Sequence, residues 1–100
     1  MTDDPIELLV QEVDDLLPAG RVGLYEFMWI LHSKKVEGSR DHHRQIARRA
    51  LERLLRQDGS RLITLIWAQQ DTEEDLQREV RDEDFEDPQL DIPYVAITQE

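Results

Sequence analysis

Residues 45–59 read Gln-Ile-Ala-Arg-Arg-Ala-Leu-Glu-Arg-Leu-Leu-Arg-Gln-Asp-Gly, and from residue 62 the chain continues Leu-Ile-Thr-Leu-Ile-Trp-Ala. The change of period between the two decides the fold class. In the first, Ile46, Ala47, Ala50, Leu51, Leu54 and Leu55 recur at three- and four-residue intervals, which puts them on one stripe of a helix. Beginning near Asp41, that helix is predicted to run to about Gln57 and to stop at Asp58-Gly59, where Gly59 supplies the left-handed residue that helix C-termini commonly take. The second stretch is short, apolar and rich in β-branched residues, and it reads as a strand, Leu62–Ala68. Pro93–Thr98 (Pro-Tyr-Val-Ala-Ile-Thr) reads as another strand that can pair with it antiparallel. More than twenty residues separate the two, too many for a plain hairpin loop.

Upstream, Asp4-Pro5-Ile6-Glu7 is a helix start, with Asp4 as N-cap, Pro5 at the first helical position and Glu7 completing a capping box. Ile6, Leu9, Val10, Val13, Leu16 and Leu17 then form one apolar stripe, and Pro18-Ala19-Gly20 ends it. Leu24–Ser33 is apolar nearly all round, as a helix central to a core would be, with Tyr25 and Trp29 expected to pack inside. A buried strand over Phe27–Leu31 is the rival assignment. The Leu24/Phe27/Met28/Leu31 spacing and the flanking Gly20 and Gly23 favour a helix. Lys34–Ser39 reads as a polar loop.

The expected architecture is α+β: a three-helix bundle followed by an antiparallel two-stranded β-hairpin with a long acidic insertion. The whole chain, 1–100, is expected to be a single compact domain with one core, since a chain this size buries only about 60–70% of its unfolded surface. Within the insertion, 71–91, Asp71–Val80 is expected as a short helix capped by Thr72, and Asp82–Pro88 as an exposed acidic loop.

The segments Gln45–Gly59 and Leu62–Trp67, in the order helix, helix, helix, strand, long connection, strand, resemble a winged-helix domain. The resemblance implies that the third helix is a recognition helix and the strand pair a wing. Arg44, Arg48 and Arg49 would then be the DNA contacts. Two features depart from DNA-binding members: the third helix is long, and the wing would carry an acidic segment that repels phosphate.

Charge is distributed unevenly. The net charge is −11, yet the stretch from Arg40 to Arg61 carries +4 and that from Asp71 to Asp91 carries −9. The acidic candidates for partner binding are Asp71, Glu73, Glu74, Asp82, Glu83, Asp84, Glu86 and Asp87. The basic helix face comprises Arg44, Arg48, Arg49, Arg53 and Arg56. On a helical wheel Arg48, Arg49, Arg53 and Arg56 lie together with His42, opposite the Ile46/Ala50/Leu54 stripe. Three readings of that face compete: a solvated surface, a surface covered by the acidic segment, or a site for phosphate or an acidic protein.

The chain has no cysteine, which removes disulfides, thiolate metal sites and cysteine nucleophiles. His42 and His43 are adjacent and point about 100° apart on a helix, and no spacing suits a metal site. Asp82/Asp84/Glu86 alternate as in a calcium loop, but Asp87 stands where glycine is demanded and Pro93 where glutamate is. Ser33, Ser39 and Ser60 sit at element ends and lack a nucleophile-elbow context. Glu26, in the apolar second helix, is the one carboxylate placed for acid/base work if desolvated, against the plainer readings of an exposed sector or an ion pair. Trp67 alternates with Ile66 and Ala68 and reads as a core residue or an interface anchor.

These features point to a non-enzymatic protein-interaction module without cofactor, a small regulatory, immunity-type or antitoxin-type protein engaging a basic partner through its acidic surface. A winged-helix DNA-binding regulator is the alternative, and a small enzyme using Glu26 a third. No apolar stretch reaches the ~20 residues of a membrane helix, and the acidic N-terminus is no signal peptide, so a cytoplasmic protein is expected. Apolar residues on Leu62–Ala68 leave room for a homodimer.

Overall fold

The computed structural model describes residues 4–66, 69–89 and 92–99, and for 69–72 the backbone alone. Its elements are α1 (Pro5–Leu16), β1 (Val22–Gly23), α2 (Leu24–Ser33), α3 (Arg40–Leu55), β2 (Ser60–Ile66), β3 (Gln69–Asp75) and β4 (Pro93–Gln99), with 3-10 turns at Leu17–Ala19 and Asp82–Phe85.

The three helices form where the periodicity places them, and their ends are set by local chemistry. Asp4 caps α1 by accepting from the Ile6 N–H at 2.9 Å, and Ser39 caps α3 by accepting from the His42 N–H at 3.1 Å. At the end of α2 the Val36 N–H reaches the Leu31 carbonyl and the Lys35 N–H the His32 carbonyl, a Schellman closure. Lys35 takes the left-handed backbone (φ 56°) that glycine usually fills there. α3 ends earlier than expected, at Leu55 with Arg56 as its C-cap, so Gly59 (φ 82°) takes its left-handed backbone in the turn before β2 and not at the helix end.

The sheet differs from a two-stranded hairpin. It has four antiparallel strands in the order β1-β4-β2-β3. β2 and β4 pair along their whole length, from Ser60 opposite Gln99 to Ile66 opposite Pro93. β1 adds two residues to the outer side of β4. The larger correction is β3. Gln69–Asp75 is a strand against β2, not the start of a short helix, with Ile63 opposite Asp75 and a register irregularity between Thr64 and Ile66. Its composition is poor for a strand, which is why it escapes sequence reading. As a charged edge strand it pairs on one side only, and charge on an edge discourages further pairing.

The main core lies between the helices and one sheet face, built on Leu9, Val13, Leu24, Phe27, Leu31, Leu54, Val95 and Ile97. A second, smaller cluster of Ile63, Leu65 and Ala96, with Tyr94 packed against it, sits on the opposite face, so the single expected core is divided by the sheet. β2 and β4 are therefore apolar on both faces, and their near-continuous apolar runs follow from that. In Leu62–Ile66 every side chain is buried or half-buried, and Trp67 and Ala68, the rest of the expected dimer face, lie outside the described residues.

Candidate interaction surface

The acidic connection is not a free loop. Phe85, at the end of the 3-10 turn Asp82–Phe85, is only 2% exposed and belongs to the main core, against which Leu76 and Val80 also pack. This anchor lays residues 80–87 across the N-terminal part of α3 and the outer side of α2. Asp84 then fixes the turn from within. Its carboxylate accepts the Arg81 N–H at 2.7 Å and both Nη groups of Arg78 at 2.7 and 2.8 Å. Burial alone would raise the Asp84 carboxyl, but the Arg78 and Arg81 contacts outweigh it and hold it below its ordinary value.

With the turn anchored, its carboxylates meet the arginines of α3. Nε and Nη2 of Arg48 donate to Asp82 Oδ1 at 3.0 and 2.9 Å, and Nη2 also reaches the Val80 carbonyl at 3.3 Å. The same guanidinium stands 5.8 Å from the Phe85 ring centroid, within cation–π range. Arg40 pairs with Glu86, and Arg44 pairs with Asp41 and approaches Glu86 at 4.0 Å. These are the residues at successive i, i+4 steps along one flank of α3.

Arg49, Arg53 and Arg56 lie on the other flank. All three are exposed, and none makes an ion pair among the described residues. The basic face expected as one unit, Arg48 with Arg49, Arg53 and Arg56, is thus split. Of the three readings of it, cover by the acidic segment holds for Arg44 and Arg48, while Arg49, Arg53 and Arg56 stay exposed.

The other end of the acidic segment is also occupied from within the chain. Glu73 on β3 accepts from Arg21 at 2.7 Å and from Arg61 at 3.1 Å, and Asp75 pairs with Arg61. Strand alternation places these groups on the same sheet face as Ile63 and Leu65. Of the acidic residues singled out from sequence, Glu73, Asp82, Asp84 and Glu86 are in ion pairs, whereas Glu74 and Glu83 make none among the described residues. The Asp71 side chain lies outside what is described. Each exposed pair contributes only about 0.2–1 kcal/mol, so the pairs shape the surface more than they stabilise it.

Asp87 has a different role. Its Oδ1 accepts the indole N–H of Trp29 at 2.8 Å. Trp29 is 52% exposed and not a core residue, which corrects the expectation for α2. The side chains of Leu24, Phe27 and Leu31 take the buried stripe, and Trp29 falls on the opposite side of the same helix. Its ring meets Tyr25 edge to face with centroids 4.8 Å apart, and Tyr25 meets Tyr94 in the same way at 5.6 Å. Tyr25 is buried as expected, and its ring covers Gly23, where a Cβ would collide with it. Burial, then Glu26, Tyr94 and Asp87, push the Tyr25 hydroxyl up to about 12, and burial raises Tyr94 as well. The apolar excess of α2 obscured the Trp29 surface, but Glu26, His32 and Ser33, three and four residues away, lie on the same side as Trp29 and are the signal that marks it as outward.

Glu26 proves to be a cap. Its Oε2 accepts the Gly23 N–H at 2.6 Å at the start of α2. His43 Nε2 lies 2.8 Å from the Val36 carbonyl, and so ties the loop before α3 to its first turn. Among the described residues no group of three His, Asp or Glu side chains is placed to hold a metal ion, and no helix is long and apolar enough to cross a membrane.

Comparison of the chain with models of known protein families, with curated proteins and with solved structures found no match.

Proposed function

We propose that this chain is a non-enzymatic protein-interaction module, a small cytoplasmic regulator of immunity or antitoxin type, that engages a basic protein partner. The observation that supports this most is the internal cover of α3. Arg40, Arg44 and Arg48 would give the helix a cationic face, but Asp41, Asp82 and Glu86 meet them on the spot. What remains outward is a protein of net charge −11, whose field attracts cations and repels phosphate at long range.

The test is capture from native extract on the immobilised full chain, eluted by salt, with each eluted protein identified and its isoelectric point determined. A basic protein released between ~50 and ~500 mM salt is expected, because screening shortens the range of exposed charge over that interval. Capture that is indifferent to salt, or that selects acidic proteins, overturns the proposal.

A second reading is favoured by one observation, the exposure of Arg49, Arg53 and Arg56 without ion-pair partners among the described residues. Under the winged-helix resemblance drawn from the sequence, those three arginines would contact duplex DNA. Of the contacts that the resemblance implies, Arg44 and Arg48 are engaged by carboxylates and only Arg49 is open. A low-salt mobility-shift assay separates the readings: a shift abolished by Arg49→Ala with Arg53→Ala supports DNA binding, and no shift supports the protein partner. For an enzyme built on Glu26 there is less support, since that side chain is held at the start of α2 as a cap on the Gly23 N–H.

A further inference from the structure

Among the described residues the large apolar side chains left exposed are Leu16, Trp29 and Ile92. Two of them, Leu16 at 43% and Trp29 at 52%, line one recess of about 300 Å³ between α1 and α2, with Ile30 in its wall. Glu12, Glu26 and Lys34 stand around it.

Trp29 is exposed and yet held. Asp87 takes its one polar group, and Tyr25, itself braced by Tyr94, supports the ring edge to face. Fixing the ring in this way means that a ligand does not have to immobilise it, a cost that otherwise reduces affinity. With its N–H satisfied inside the protein, what the ring offers outward is apolar. A rigid tryptophan beside a second apolar side chain over a recess is the usual make-up of a binding hot spot.

The charges around the recess select the occupant. Lys34 and Glu12 are paired with each other at 3.2 Å, so the charge of each is met. Glu26 uses one carboxylate oxygen on Gly23, which leaves the other as an acceptor. Asp15 precedes Leu16 on α1 and is exposed. A second copy of the chain would bring the same carboxylates and a net charge of −11 against an equal one. We infer that the α1/α2 groove docks a cationic amphipathic segment of a partner protein, one apolar side chain entering between Leu16 and Trp29 while lysine or arginine meets Glu26. This deepens the proposed function and rests on its basic-partner reading.

The test is an NMR titration of the full-length protein with two synthetic probes, a helical peptide of leucine and lysine and a lysine-only peptide of equal charge. With the leucine–lysine peptide, the largest shifts are expected at Leu16, Ile30 and the Trp29 indole N–H. Leu16→Ser and Trp29→Ala should each weaken its binding roughly tenfold or more, and should leave the lysine-only peptide little changed. The two variants sit on different helices, so a folding defect in one does not remove the test. Shifts confined to Glu73–Asp84 with both peptides overturn the groove while the basic-partner reading stands. Absence of binding by both peptides overturns the groove and counts against that reading too. Shifts at the groove that instead follow protein concentration, with a dimer in light scattering, overturn the assigned occupant in favour of a second copy.

Discussion

The two flanks of α3 carry the same residue type and differ in everything else. On one, Arg40, Arg44 and Arg48 are matched by carboxylates, two of them, Asp82 and Glu86, from the far end of the chain. On the other, Arg49, Arg53 and Arg56 stand in solvent. Spacing along the helix puts Arg48 and Arg49 on different flanks, but nothing in the local sequence says which flank is covered. The difference comes from Phe85, a single buried aromatic that fixes where the acidic turn lands. Charge patterning on a helix thus states what is available, and an apolar anchor elsewhere decides which charges are used.

The most direct way to break the contrast is to remove the anchor. Phe85→Ala deletes a fully buried ring, and such truncations cost about 3–5 kcal/mol. Urea unfolding should show a much lower midpoint, and an Asp82 no longer held near Arg48 should make the two flanks alike. Should the midpoint stay within experimental error of the parent, the turn is held by something other than Phe85.

A smaller effect sharpens the contrast without disturbing the core. The Asp84 carboxyl lies below its ordinary value in the folded chain, so the unfolded chain binds its proton more readily. The stability it contributes is therefore fully present above the unfolded-state value of about 3.9, and it is lost as pH falls through the folded-state value. Urea midpoints measured from pH 6 downward should fall for the parent. For Asp84→Asn they should fall less steeply, from a lower starting level, because the Arg78 and Arg81 contacts are weakened at every pH. Parallel pH profiles would refute this role.

The smallest effect tests the flanks themselves. A double-mutant cycle between Arg48 and Asp82 should give a coupling of about 0.2–1 kcal/mol, as half-exposed pairs do, whereas the cycle between Arg49 and Asp82 should give none. Both cycles are read from urea midpoints, with Arg49→Ala alone expected to change stability by less than about 0.5 kcal/mol. Equal couplings would mean that the two flanks do not differ in solution.

By itself the sequence determined the three helices, the cap at Asp4, the β2–β4 pair and the α+β class. Each of these rests on interactions within a few residues or on a period that repeats along the element. Tertiary structure decided the rest. β1 is two residues long, too short to show a period, and exists because β4 offers it a partner. β3 is acidic and poorly disposed to extend, and it is a strand because β2 needs its second edge paired. Which arginines of α3 stay open depends on Phe85, and the outward turn of Trp29 depends on which stripe of a largely apolar helix the core takes. Burial is a property of the assembled chain. A side chain's position along the sequence can say that it is apolar or charged, but only the neighbours brought from elsewhere settle whether it meets water, a partner residue or the core.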